Sequence, residues 1–222
     1  MDNLSGCVDA IESRYFLHET LDRGITITVK NEDGSTSPVS FPVENRACVE
    51  KLTPILKNAS VSPFGVGSET VVDTSVRNAL HLLPEQFTSD FDPLEEGILD
   101  RIRETLVPEA SEVTATLLKL NVYSKGGHFQ LHKDTPRGEN CFGSLVVCLP
   151  APFSGGDLKL HHSGSNDVID LAKGNGPSFY IYGKTFLEMH YTPETKLKWV
   201  AFFGDVDHEV REVTEGYRIT LS

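Results

Sequence analysis

Residues 127–134 read GHFQLHKD. In an extended strand successive side chains alternate between faces, so His128, Gln130, His132 and Asp134 share one face and Phe129, Leu131 and Lys133 the other. An imidazole and a carboxylate two residues apart, aimed at one point, are two of the three ligands in the 2-His-1-carboxylate triad that holds non-haem Fe(II). The third ligand must be a histidine from elsewhere. His208 is the natural candidate, because it precedes a strand near the chain end, in DVDHEV. Ten residues later comes Arg218, in GYRIT. An arginine at that depth in a barrel can clamp a carboxylate through two parallel N–H donors. Thr220, two residues on and on the same face, adds a hydroxyl.

A plainer reading stands beside this one. With eight histidines and 32 acids in 222 residues, about one His-x-acid triplet is expected by chance, and one is present. On that reading His132 is a surface-strand histidine, Asp134 opens a turn before Pro136, and Arg218 makes a structural ion pair. Arg137 suits either a cavity mouth or a solvated loop. His128 reads as a satisfied wall histidine, and His161 and His162, beside Ser163-Gly164, as surface residues. Asp205 and Asp207 read as turn-forming acids.

The elements that would carry these residues change character near residue 110. Ile25–Lys30 and residues 39–43 are strand-like, separated by the turn sequence NEDG, and Pro42 confines the second to a sheet edge. A helix is predicted from Asp92-Pro93, with Asp92 as N-cap, Pro93 at the first position, Glu95 in the first turn, and Leu94, Ile98, Ile102 and Leu106 as its buried stripe. A shorter helix is predicted over 75–83, stopped by Pro84. After Val113 the sequence is nearly all strand and turn: 113–123, 142–149, 179–182, 199–203, 210–213 and 217–221. The run FGSLVVCL at 142–149 suits a strand buried on both faces. Many short strands at such spacing suggest a sandwich or barrel. Nothing near residue 110 resembles a flexible linker, so one α+β domain over 1–222 is the expectation.

Composition narrows the partners. Twenty Lys+Arg against 32 Asp+Glu leave a net charge of −12, and such a surface repels phosphate backbones and anionic lipid. Nucleic acid and membranes are therefore poor partner expectations. Cys7, Cys48, Cys141 and Cys148 lack paired spacing and read as reduced thiols. Cys141 and Cys148 read as buried small hydrophobes. No basic stretch followed by an apolar run opens the chain, so an intracellular location, cytoplasmic or nuclear, is expected.

Several stretches agree in order with one known pattern: LHKDTPR at 131–137, FGSLVVCLP at 142–150, GGDLKL at 155–160, WVAFFGD at 199–205, HEV at 208–210 and GYRITL at 216–221. Together they resemble the prolyl 4-hydroxylase-like branch of the 2-oxoglutarate/Fe(II) dioxygenases, most closely the type common in fungi. The resemblance covers about residues 120–221; the region before 110 is similar only as helical and mixed support. It implies a double-stranded β-helix (jelly roll) core over 111–222, braced by N-terminal helices in 1–110. It implies Fe(II) held by His132 and Asp134 at the end of the second core strand and by His208 opening the seventh, with Arg218 on the eighth. Tyr123 matches a tyrosine that often hydrogen-bonds the cosubstrate. Some members place a tyrosine from the third core strand on the distal carboxylate; the nearest match here is Val147, which leaves Arg218, Thr220 and, more weakly, Lys159. The sequence stops at Ser222, where such proteins usually continue.

The implied cofactors are Fe(II), 2-oxoglutarate and O2, with ascorbate as an accessory reductant. The implied reaction hydroxylates a prolyl or peptidyl residue, or a small molecule, with release of succinate and CO2. Two other classes stay open: a non-catalytic jelly-roll binding module, and a cupin-type metalloenzyme that does not use 2-oxoglutarate. An intact ligand set counts against the first; cupin sites tend to use three histidines and no clamping arginine. The oligomeric state is left open.

Overall fold

The strand Lys196–Phe203 is buried along nearly its whole length, and the two apolar cores of the protein lie on its opposite faces. A computed structural model describes residues 14–43, 48–66, 69–135, 138–173, 178–182, 186–190 and 196–222. Leu197, Trp199 and Ala201 point into one core. Val200 and Phe202 point into the other. Alternation puts consecutive residues on opposite faces, so the run is apolar on both, apart from Lys198, whose buried Nζ donates to the Leu171 carbonyl at 3.1 Å.

This strand belongs to a seven-stranded antiparallel sheet, ordered Phe16–Asp22, Lys196–Phe203, Gly143–Cys148, Arg218–Leu221, Leu120–Tyr123, Leu80–Leu82 and Ser60–Val61. A five-stranded sheet is ordered Ser165–Ile169, Leu158–His162, Asp207–Val210, His128–His132 and Arg77–Asn78. Phe129, Leu158, Leu160 and Val210 from the second sheet share a core with Cys148, Val200 and Phe202 from the first. The result is a mostly β, jelly-roll-like sandwich. On the other face of the larger sheet lie a three-stranded sheet (Thr36–Phe41, Ile25–Lys30, Phe87–Ser89) and two helices, Cys48–Asn58 and Ile98–Leu106. Leu52 and Ile55 of the first helix are fully buried there, each stabilising by about 1.5–3 kcal/mol.

Local expectations fared unevenly. The strand expected over 39–43 runs instead over Thr36–Phe41, at the sheet edge as expected; Pro38 lies inside it, and Pro42, on which the expectation rested, lies just beyond. The helix expected from Asp92 begins only at Ile98, because Gly97 takes a left-handed φ of 71° that breaks it. Asp92 instead caps the preceding turn, its Oδ1 accepting the Leu94 N–H at 2.8 Å, and Leu94 is left 60% exposed. The helix expected over 75–83 does not form. Asp73 accepts both the N–H and the hydroxyl of Ser75 in a turn, and the next residues pair as short strands with His128–Phe129 and Leu120–Val122. Tertiary ladder bonds outweigh local helix propensity there. Residues 210–213 are not one strand but the end of Asp207–Val210 and the start of Val213–Gly216. Helix Cys48–Asn58 was hidden in the sequence by Pro54 in its interior.

Candidate metal centre

The strand His128–His132 pairs with Asp207–Val210 so that Phe129 faces Val210 and His132 faces His208. Three steps along one strand thus match two along the other, which is a β-bulge. The bulge changes which side chains share a face. Phe129 and His132, separated by strict alternation, turn to the same side and stack with ring centroids 3.5 Å apart at 22°. Gln130 turns outward and its Nε2 donates to the Ser75 carbonyl. The shared face expected for His128, Gln130, His132 and Asp134 is therefore not what forms: an extra residue re-aims His132.

His132 and His208 meet across the ladder with centroids 4.2 Å apart. His132 Nδ1 lies 2.8 Å from the Gln130 carbonyl, and His208 Nδ1 lies 3.1 Å from the Val206 carbonyl. A carbonyl oxygen only accepts, so each Nδ1 carries the proton and each Nε2 keeps its lone pair. Both lone-pair nitrogens approach Asp134 Oδ1, at 3.8 Å from His132 and 3.7 Å from His208. The three possible ligand atoms lie within 4.8 Å of one another. Ser144 Oγ donates to the other carboxylate oxygen, Oδ2, at 2.5 Å, which orients Oδ1 toward the imidazoles. Burial, and next the neighbouring His208, push the His132 pKa down to about 4. A neutral imidazole is the form that ligates a metal. Two such nitrogens and one carboxylate oxygen suit Fe(II) by the chemistry of the donor set.

Arg218 lies 1% exposed on Arg218–Leu221, opposite Tyr123, with its Cζ 5.2 Å from the tyrosine ring centroid. Its Nε is buried and makes no hydrogen bond, and among the described residues no carboxylate pairs with it. The plainer reading of a structural ion pair thus lacks its partner. Gly156, at φ 68°, passes beside the arginine stem: a Cβ there would lie 3.0 Å from Arg218 Cδ and 2.9 Å from Val213 Cγ2. Thr220 is 2% exposed on the same face and pairs with Cys148. A buried guanidinium without an anion is costly, so an anionic ligand fits the residues present.

Other sequence candidates fall elsewhere. Val147 points into the opposite core, and Cys148 is the inward residue of that strand. Lys159 faces outward and pairs with Glu209 at 3.6 Å. His128 is held by two carbonyls, those of Gly126 and Ser75, each at 3.0 Å, which raises its pKa; it is a satisfied histidine. His161 and His162 line an open groove with Lys133, Asp205 and Asp207. Cys141 is exposed rather than buried, because it lies in a turn before the strand. Arg137 is outside the described residues. The supporting roles of Ser144, Phe129 and Gly156 carry no sequence signature of their own; the one signal for Ser144 is a hydroxyl opening an otherwise apolar run.

No protein-family model and no curated protein matches the chain. Solved structures similar to it include a Pseudomonas putida prolyl-4-hydroxylase, 14% identical with a TM-score of 0.38, over 66% of this chain and 71% of that one. A Burkholderia pseudomallei oxidoreductase of the 2OG-Fe(II) oxygenase family is 16% identical with a TM-score of 0.39, over 78% and 76%. A Trichoplax adhaerens prolyl hydroxylase, in complex with a hypoxia inducible factor oxygen degradation domain peptide fragment, is 14% identical with a TM-score of 0.43, over 89% and 81%. Likeness of this degree carries no weight for the site. What the geometry itself defines is a mostly β sandwich with a two-histidine, one-carboxylate cluster and a buried arginine that pairs with no carboxylate among the described residues.

Proposed function

We propose that the protein is an Fe(II)- and 2-oxoglutarate-dependent dioxygenase, a hydroxylase of the prolyl 4-hydroxylase-like branch. The observation that carries this reading is the convergence of His132 Nε2, His208 Nε2 and Asp134 Oδ1 within 4.8 Å, joined to a buried, partnerless Arg218 Nε in the same interior. His132, Asp134 and His208 would hold the metal, and Arg218, with Thr220 and Tyr123 beside it, the distal carboxylate of the cosubstrate. Fe(II) with 2-oxoglutarate and O2 supplies oxidative decarboxylation to succinate and CO2 coupled to hydroxylation of a C–H bond.

The chain's own contribution is geometric and electrostatic. Backbone carbonyls hold both imidazoles in the ligating tautomer. Ser144 keeps the carboxylate turned toward them. Arg218, 1% exposed beside Tyr123, supplies a charge that selects a carboxylate, and burial strengthens that attraction. The substrate class we assign is a prolyl or peptidyl residue, on the sequence resemblance; a small molecule suits the same residues. We further read the core as a double-stranded β-helix within a single domain. In support, four strands of the larger sheet (120–123, 218–221, 143–148, 196–203) are matched by four of the smaller (128–132, 207–210, 158–162, 165–169).

The test is anaerobic addition of Fe(II) and 2-oxoglutarate, followed by O2. A weak visible absorption band and then succinate are expected. Absence of the band in wild type, as in Asp134→Ala, would overturn the reading; a band without succinate would favour a binding module.

A further inference from the structure

We propose that Arg77 is a positioning residue for His132, acting through Phe129 in an Arg77–Phe129–His132 stack. The inference rests on the metal-centre reading and adds a residue to it. Arg77 sits on the outermost short strand of the five-stranded sheet, directly opposite Phe129. Its Cζ lies 4.5 Å from the Phe129 ring centroid, and the same ring stacks on His132 at 3.5 Å. Phe129 is thus shared between a guanidinium from the flanking strand and an imidazole further along its own.

The guanidinium is itself fixed. Nη1 donates to the Pro63 carbonyl at 3.0 Å and Nη2 to Asn121 Oδ1 at 2.8 Å. Asn121 belongs to the other sheet and donates onward to Ser222 Oγ at 3.0 Å, so Arg77 ties one sheet to the other beside the cluster. At the bulge the ladder to Asp207–Val210 skips from Phe129 to His132, and regular pairing does not set the direction of the His132 ring. The hydrogen bond from Nδ1 to the Gln130 carbonyl fixes the tautomer and one edge of the ring. The flat stack on Phe129 adds a second constraint, on the tilt of the ring plane. An apolar side chain would fill the same space at lower cost, since Arg77 is only 8% exposed and its Nε has no partner among the described residues. A planar cation over an aromatic face holds that face where an aliphatic chain would let it slide.

The test uses Co(II) as a spectroscopic probe, under nitrogen and without turnover, so activity plays no part. In Arg77→Met, Co(II) affinity should fall about tenfold or more, the range for removing a group that orients a ligand, and the visible d–d bands should shift. Arg77→Lys, which keeps the charge but not the plane, should recover little of the loss. Phe129→Leu should show a similar defect, and the double variant should be no worse than Phe129→Leu alone, because both changes break one stack. Wild-type affinity and spectrum in Arg77→Met, or losses that simply add in the double variant, would overturn the inference while leaving the metal centre standing. Failure of the wild-type protein to bind Co(II) would sink the metal centre itself. Should Arg77→Met not fold, Phe129→Leu, which removes the ring that both Arg77 and His132 stack on, carries the test: unchanged Co(II) affinity and spectrum there overturn the proposal equally.

Discussion

His132 and His208, 76 residues apart in the sequence, are direct cross-strand partners whose rings lie 4.2 Å apart. Their separation is therefore set by the spacing of paired strands, about 4.5–5.5 Å between opposed residues, rather than by any loop. Asp134, by contrast, lies two residues past His132 and just beyond the strand, nearly half exposed. A centre built this way is pre-formed on its nitrogen side and adjustable on its oxygen side.

Asp134→Ala should abolish metal binding, since it removes the atom that both imidazoles face. Ser144→Ala should weaken it by about tenfold, because Oδ2 loses the hydroxyl that orients the group. Calorimetric titration with Co(II) or anaerobic Fe(II) measures both. Equal affinity in Ser144→Ala would show that the serine only fills space.

Arg218→Met should bind 2-oxoglutarate at least tenfold more weakly, yet leave the ligand-free protein as stable as wild type or more so. A buried cation without an anion costs stability that an apolar side chain of similar length does not. Conversely, metal plus 2-oxoglutarate at 100 times its Kd should stabilise wild type by about 2.7 kcal/mol, and this gain should vanish in the variant. Thermal unfolding with and without the cosubstrate reads both effects. Arg218→Lys should lie between them, since a point charge lacks the fork.

Gly156→Ala should cost about 1–3 kcal/mol of stability, because an L residue at φ 68° is strained and its Cβ meets Arg218 and Val213. The same change should weaken 2-oxoglutarate binding by displacing the arginine stem. Chemical denaturation and a binding titration separate the two losses. Normal cosubstrate affinity would mean that the stem relaxes around the methyl group.

Acid should destabilise the metal-free protein through His132. Its folded pKa lies near 4, against about 6.5 when unfolded. Between those values the unfolded chain binds the extra proton, so stability rises with pH across the window and falls on acidification, by an order of 1–3 kcal/mol for this group. His128 works the other way: its raised pKa gives stability fully present below about 6.5 and lost as pH rises through the higher folded value. The His132 part is isolated by comparing melts of wild type and His132→Gln from pH 7 to 4.5 in chelator. Parallel curves would refute it.

Much of the candidate cluster was legible because its members are chemically specific. Few residue types ligate metals, and His132, Asp134 and His208, which converge in the fold, stand in text whose strand character is plain. Arg218 stood out in the same way, as a cation in an apolar strand. Ser144, Phe129, Gly156 and Arg77 were not legible. Each matters only through what it touches, and a hydroxyl, a phenyl ring, a glycine or a second arginine has many uses elsewhere.

From the sequence alone came the β-rich second half, an edge strand near Pro42, the doubly buried run, and the residue types of the centre. These depend on local composition and period, which a chain carries whatever it packs against. Tertiary contacts decided the rest. Residues 75–83 became strand because two ladders awaited them, Gly97 delayed a helix that its neighbours favoured, and one extra residue in a bulge turned His132 to the face of Phe129. Register between distant strands is a property of the pair, not of either strand. Only the folded sheets could therefore set which way that imidazole points.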